Sequence, residues 1–214
     1  YWDYQPERGR SMTMRKIVLA TGNPGKVREF AAVLTGLEVE IVPQSAFAVP
    51  EVEETGLSFV ENALLKARNA ARHTGLPALA DDSGLVVDTL EGAPGIYSAR
   101  YAGPEADDSA NIAKLLAELG ETPAEWRGAR FHCALALLRH AADPMPLICQ
   151  ASWEGLITFE PYGDGGFGYD PVFLVPSEAQ TAVELDPAVK NQLSHRGQAM
   201  RGLVRVYEAL QQWA

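Results

Sequence analysis

Apolar residues recur along this chain in two rhythms, and each change of rhythm marks a change of element. Residues 16–20 carry the unbroken run Ile17-Val18-Leu19-Ala20, which predicts a buried strand. A helical pattern opening Val27-Arg28-Glu29-Phe30 predicts a helix over 27–34, stopped by Gly36. A second strand is predicted over 38–42, and residues 43–55 read as a loop carrying Glu51, Glu53 and Glu54. The strongest helix is 58–73. Ser58 and Glu61 form a capping box, and Leu57 is placed to staple the entry. Phe59, Ala63, Leu64, Ala67, Ala70 and Ala71 share one face. Gly75 closes the helix, and Pro77 prevents its continuation.

Strand-like runs at 78–80 and 85–87 flank Asp81-Asp82-Ser83-Gly84, which reads as a turn, and a glycine-rich loop covers 91–103. A helix is expected over 109–119, ended by Gly120. Runs at 131–138 and 147–153, joined by a proline-containing turn at 142–146, predict a hairpin, with 155–159 a candidate continuation. A glycine-rich loop at 162–169 and a short strand at 172–175 follow. Ser194 caps a last helix over 195–213 with a stripe of Leu203, Val206, Leu210 and Trp213. The expected fold class is α/β: a mixed central sheet with flanking helices, in two lobes around an active-site cleft.

Composition narrows this picture only modestly. The 214 residues are 47% hydrophobic and 21% charged, ordinary for a globular enzyme. A formal net charge of -10 argues against nucleic acid or an anionic membrane as the main partner. The two cysteines, Cys133 and Cys149, lie in apolar runs without zinc-ligand spacing and read as free buried thiols. No run is long enough to cross a bilayer. Residues 1–13 resemble neither a signal peptide nor part of the fold. They read as a leader before Met14, leaving 14–214 as a single domain and a cytoplasmic protein as the default.

Four segments carry candidate chemistry. The first is Thr21-Gly22-Asn23-Pro24-Gly25-Lys26, a strand-to-helix turn ending in lysine. Free backbone N–H groups at a helix start attract anions, and the lysine adds a full charge. It is not a P-loop, because only Asn23 and Pro24 separate the glycines and Val27 follows the lysine. The second is Asp81-Asp82 with the acidic loop at 51–54. Adjacent strand residues point to opposite faces, so both aspartates reach one cleft only if the backbone breaks, which Gly84 permits. Such carboxylates suit Mg2+ or a general base, while a solvated turn is the plain alternative. The third is the glycine–aromatic stretch Phe167-Gly168-Tyr169-Asp170, fit to stack on a base and to bond its polar edge. The fourth is Lys190 with His195 and Arg196, cations at a helix start where the dipole disfavours them unless an anion compensates.

In this order the segments closely resemble the inosine triphosphate pyrophosphatase family. The strings that carry the resemblance are LATGNPGK at 19–26, EETG at 53–56, ENA at 61–63, ADDSG at 80–84, GAPGIYSARYAG at 92–103, FGYDP at 167–171 and SHRG at 194–197. The resemblance implies hydrolysis of ITP, dITP and XTP to the monophosphate and pyrophosphate, with Mg2+ required, by a homodimer. It implies Asp82 as general base and Glu54 with Asp82 as metal carboxylates. Thr21 to Lys26 would bind the triphosphate. Ser83, Phe167 to Asp170, Lys190, His195 and Arg196 would bind the rest of the nucleotide. A pocket offering donors at the 6-oxo edge, from backbone N–H groups or from His195 and Arg196, would reject adenine by leaving polar groups unpaired. Two rival readings are a Maf-like pyrophosphatase of pyrimidine nucleotides and a non-catalytic nucleotide sensor. The strings at 167–171 and 194–197 argue against the first, and the paired acids argue against the second.

Overall fold

The protein is described here by a computed structural model covering residues 15–34 and 39–211. The expected leader, the Gly36 stop and the predicted helical end at Trp213 lie outside the described residues.

Seven strands form one mixed sheet in the order β2-β1-β3-β4-β5-β6-β7. They are β1 (Arg15–Leu19), β2 (Val39–Pro43), β3 (Ala78–Val87), β4 (Gly128–Leu138), β5 (Leu147–Ile157), β6 (Phe173–Val175) and β7 (Gln180–Thr181). The helices are α1 (Pro24–Leu34), α2 (Phe59–Thr74), α3 (Asp108–Leu119), α4 (Pro187–Leu193) and α5 (His195–Gln211). β1 runs parallel to both neighbours, and the remaining pairings are antiparallel.

One mismatch of strand lengths creates the cleft. β1 meets β3 only at Val18↔Ala78 and Leu19↔Leu79. β3 then continues from Ala80 to Val87 paired with β4. Beyond Leu19, the side of β3 that faced β1 is left for loops and side chains to fill.

The long strands carry separate cores. Near β1, the alanine face of α2 (Ala63, Ala67, Ala70, Ala71) packs on Val18, Ala78, Ala80 and Ala136. On the opposite side of the sheet, Phe30 of α1 and Ala199 and Leu203 of α5 cover Leu19, Leu79 and Leu135. At the far end, Leu85, Phe131, Trp153 and Phe173 gather with Ile112, Leu115 and Leu119 of α3. The first two cores lie on opposite faces of one end of the sheet and the third at its other end, giving the two lobes expected of the fold, joined through β3, β4 and β5.

Three expectations fail for identifiable reasons. The turn at 81–84 does not exist, because β3 passes through it unbroken. Gly84 serves close packing instead: a Cβ there would lie 2.4 Å from Gly95 O and 2.6 Å from Ser98 Oγ. Ser98 accepts the Leu85 N–H at 2.8 Å, which holds the 95–100 segment across the strand. The Leu57 staple is absent, since Leu57 is 86% exposed. The capping box does form, with Glu61 N–H on Ser58 Oγ at 3.3 Å and the Glu61 carboxylate accepting the Leu57 N–H at 2.9 Å. Finally, α4 was unforeseen, although its signal was local: Pro187 at the first turn and Asp186 accepting the Ala188 N–H at 2.8 Å. Both cysteines are free thiols, as expected, but only Cys133 is buried; Cys149 is half-buried.

Candidate active site

A cleft of about 1130 Å³ opens where β1 ends. Thr21, Gly22, Asn23 and Lys26 form one wall, Glu51 to Thr55 another, and Lys66, Asp81, Tyr97 and Arg100 close it.

The loop at 21–26 is pre-ordered, but not as an open anion cradle. Asn23 caps α1, its Oδ1 accepting the Gly25 N–H at 2.8 Å and the Lys26 N–H at 3.3 Å. The Asn23 N–H goes to Thr21 Oγ1 at 3.1 Å, and Pro24 has none to give. The Asn23, Gly25 and Lys26 N–H groups expected to meet phosphate are therefore engaged within the loop. Its full positive charge is the Lys26 side chain, which is paired with Asp81.

The aspartate pair is split by strand alternation. Asp81 faces the α1/α5 side, and Asp82 faces α2. Asp81 is 1% exposed and holds Lys26 Nζ at 2.7 Å, with Arg196 Nε 3.8 Å away and Ser83 Oγ donating at 3.3 Å. Burial alone would raise its carboxyl, but Lys26, Arg196 and Lys66 outweigh that and hold it well below the usual range. Asp82 receives Lys66 Nζ at 3.0 Å and the Asn62 amide at 3.4 Å. Here burial wins and pushes the carboxyl up, with Glu54 adding to the shift and Lys66 opposing it. Lys66 also reaches Glu54 Oε1 at 2.8 Å, while Arg100 sits 3.5 Å from Glu54 Oε2. Glu54 thus ends below its ordinary value: burial raises it, but Lys66 and Arg100 lower it further. So the backbone does not break: Asp81 lines the cleft and is paired with Lys26, while Asp82, on the other face, meets the cleft residues Lys66 and Glu54 through the ammonium they share.

Lys66, Asn62 and Arg100 were not among the expected site residues. A signal for two of them was present. Asn62, Lys66 and Asn69 recur at helical spacing beside the alanine face of α2, and Asn62 is fully buried. Asn62 earns its burial by also accepting the Gly56 N–H at 2.8 Å, so it ties the acidic loop to Asp82.

The remaining expected residues form a second group. Asp170 is buried, accepts the Phe167 N–H at 3.0 Å and pairs with Lys190. Gly168 N–H bonds Asp108 at 2.7 Å, and Tyr169 donates to Ser98 O at 2.8 Å from a buried position. Phe167 stays 64% exposed, available to a flat partner. Arg196 belongs with the first group, bonding Glu29 at 2.8 Å while facing Asp81. The anion that compensates the cations at the start of α5 is therefore a protein carboxylate. The His195 ring stacks on Phe131 at 5.1 Å, its Nδ1 is buried without a hydrogen-bond partner, and burial, with Arg196 beside it, lowers its pKa to about 3. Half-buried at the start of α5, it offers a neutral ring rather than a cation.

Among the described residues no group of three or more His, Cys, Asp and Glu gathers as a metal cluster. Glu54 and Asp82 nonetheless converge on one cationic centre, the Lys66 ammonium. Two hard oxygen donors around one positive charge fit Mg2+, which takes only one or two carboxylates from protein.

A model of the Ham1 family matches residues 17–206. The chain is 60% identical over 191 residues to the dITP/XTP pyrophosphatase of Escherichia coli O157:H7, covering 89% of this chain and 97% of that one. Its fold is similar to that of a HAM1 protein from Coxiella burnetii, with a TM-score of 0.88, 52% identity and coverage of 92% and 100%. The Staphylococcus aureus Ham1 protein gives a TM-score of 0.84 at 40% identity, covering 91% and 99%. With its sheet, its helices and its motif strings matched over almost the whole chain, this protein belongs to the Ham1 family.

Proposed function

We propose that this protein hydrolyses non-standard purine nucleoside triphosphates, dITP, XTP and ITP, to the monophosphate and pyrophosphate. The relatives named dITP/XTP pyrophosphatase, at 60% identity over nearly their full length, support the substrate class. The observation that carries the chemistry is the contrast between the two neighbouring aspartates. Asp81 is locked as an anion by surrounding cations, whereas burial shifts the Asp82 carboxyl upward, which makes it the stronger base of the two. Asp82 is the general base.

The other residues divide the remaining work. Lys26 and Arg100 line the cleft and present positive charge to the phosphate chain. Lys66 neutralises Glu54 and Asp82 in the free protein, and Asn62 fixes the orientation of the Asp82 carboxylate. Glu54 and Asp82 would hold Mg2+, which would supply charge neutralisation on the phosphoryl oxygens. Phe167 offers a stacking face, and Lys190 and Asp170 fix the loop that presents it. With the His195 ring held neutral and the Arg196 guanidinium engaged by Glu29 and Asp81, a 6-oxo base would be met by backbone donors or by the hydrogen-bonding atoms of these two side chains, not by a free cation. A homodimer and a cytoplasmic location, both implied by the family resemblance, belong to the same proposal.

Product analysis with ITP and Mg2+ tests the reading. Pyrophosphate with IMP is the expected result. Orthophosphate alone, or dTTP and UTP turned over well above ITP, would overturn it.

A further inference from the structure

Four charged side chains form a chain of ion pairs that the proposed chemistry does not use as a unit. Lys26 pairs with Asp81 at 2.7 Å, Asp81 faces Arg196 at 3.8 Å, and Arg196 pairs with Glu29 at 2.8 Å. The signs alternate along the chain, and its two ends, Lys26 and Glu29, lie on α1 one turn apart. It joins the triphosphate loop at the start of α1 to the 194–197 string at the start of α5.

The chain of pairs is not fully satisfied. Asp81 Oδ1 and Arg196 Nε are both buried and lack hydrogen-bond partners. They belong to facing side chains, and the Asp81 oxygen nearest Arg196 Nε, at 3.8 Å, is Oδ2, the one that Lys26 holds at 2.7 Å. Lys26 and Arg196 therefore compete for one carboxylate oxygen, and departure of Lys26 would leave it to Arg196.

We propose that Asp81 is a positioning residue that couples the two ends of the nucleotide site, releasing Lys26 to the triphosphate and closing on Arg196. A triphosphate drawing Lys26 away leaves a buried carboxylate short of positive charge. Arg196 is the facing cation able to replace it, because Lys66 is already shared by Asp82 and Glu54. The pull falls on α5, whose first residues border the expected base end. Phosphate occupancy thereby sharpens the base end, and by linkage base occupancy favours phosphate. This inference rests on the reading of the cleft as a nucleoside triphosphate site.

The test uses two separate fragments of the substrate, without divalent metal so that no turnover occurs. Inosine affinity of the full protein is measured by calorimetry with and without saturating inorganic tripolyphosphate. Inosine is uncharged, so simple charge attraction does not link the two. The expected result is that tripolyphosphate tightens inosine binding by at least about fivefold, the low end of ordinary coupling. Asp81→Asn is expected to abolish this coupling while inosine binding alone persists. Inosine affinity indifferent to tripolyphosphate in the unmodified protein overturns the proposal, as does coupling that survives in Asp81→Asn. Should that variant fail to fold, the unmodified protein alone decides. Pyrophosphate release from ITP is assayed in parallel. Release without coupling sinks only the Asp81 role, and coupling without release sinks only the hydrolase reading.

Discussion

Asp81 and Asp82 are neighbours in the chain, yet they live in opposite electrostatic worlds. Asp81 sits under α1 and α5 with Lys26 and Arg196 turned toward it, a surplus of positive charge around one carboxylate. Asp82 sits under α2 and must share a single ammonium, Lys66, with Glu54. Burial disfavours the charge of both. On one face the cations overcome that penalty, and on the other they do not. The lesson is that pleating, which places successive residues on opposite faces, can give two identical side chains opposite shifts, one carboxyl held down and the other pushed up.

The largest expected effect tests Asp82. Asp82→Asn should lower kcat for ITP by about a thousandfold, within the usual range for loss of a general base, while nucleotide binding largely survives. Pyrophosphate release against nucleotide binding reads this out, and unchanged turnover would break the comparison. Asp81→Asn should do the reverse to stability. Removing one partner of a buried ion pair leaves Lys26 without its carboxylate and Arg196 with Glu29 alone, a loss of about 3–5 kcal/mol in denaturant unfolding. The Asp82→Asn midpoint should stay nearer that of the unmodified protein, and equal losses would erase the distinction.

A smaller effect is expected at Lys66. Lys66→Met leaves Glu54 and Asp82 facing each other without their shared cation, and kcat/KM for ITP should fall about a hundredfold. A variant with full activity would remove Lys66 from the site. The smallest effect concerns His195, on Asp81's side of the sheet. Its folded pKa of about 3 lies below the ordinary histidine value, so the unfolded chain takes up the proton first as pH falls. Stability from the neutral ring is complete above the ordinary value, near 6.5, and drains away toward pH 3 at up to about 1.4 kcal/mol per pH unit. Between pH 7 and pH 5 the loss should be at most about 2 kcal/mol, and His195→Gln should flatten it. Denaturant midpoints at the two pH values check this, and an identical slope in the variant would mean the ring is not held neutral.

Much of the scaffold was legible from local signals. The α2 capping box, Gly75 at its end and the hairpin of β4 and β5 were all readable, because caps and turns are decided by residues within a few positions of one another. The turn placed at 81–84 misled because two aspartates, a serine and a glycine have the composition of a loop. Their place in a buried strand depends on Lys26, Lys66 and Asn62, which come from elsewhere in the chain. The cations at the start of α5 were correctly seen as uncompensated locally, but their partners Asp81 and Glu29 are remote in sequence.

By itself the sequence determined the α/β plan, the motif strings and the residue types that phosphate chemistry requires, since these follow from local periodicity, capping and the order of motifs. Only the tertiary structure decided which aspartate is held as an anion and which is raised. It also turned His195 inward and brought Lys66 between Glu54 and Asp82. The physical reason is that a carboxylate's charge state depends on burial and on cations within a few ångströms. Those neighbours are supplied by folding, not by adjacency along the chain.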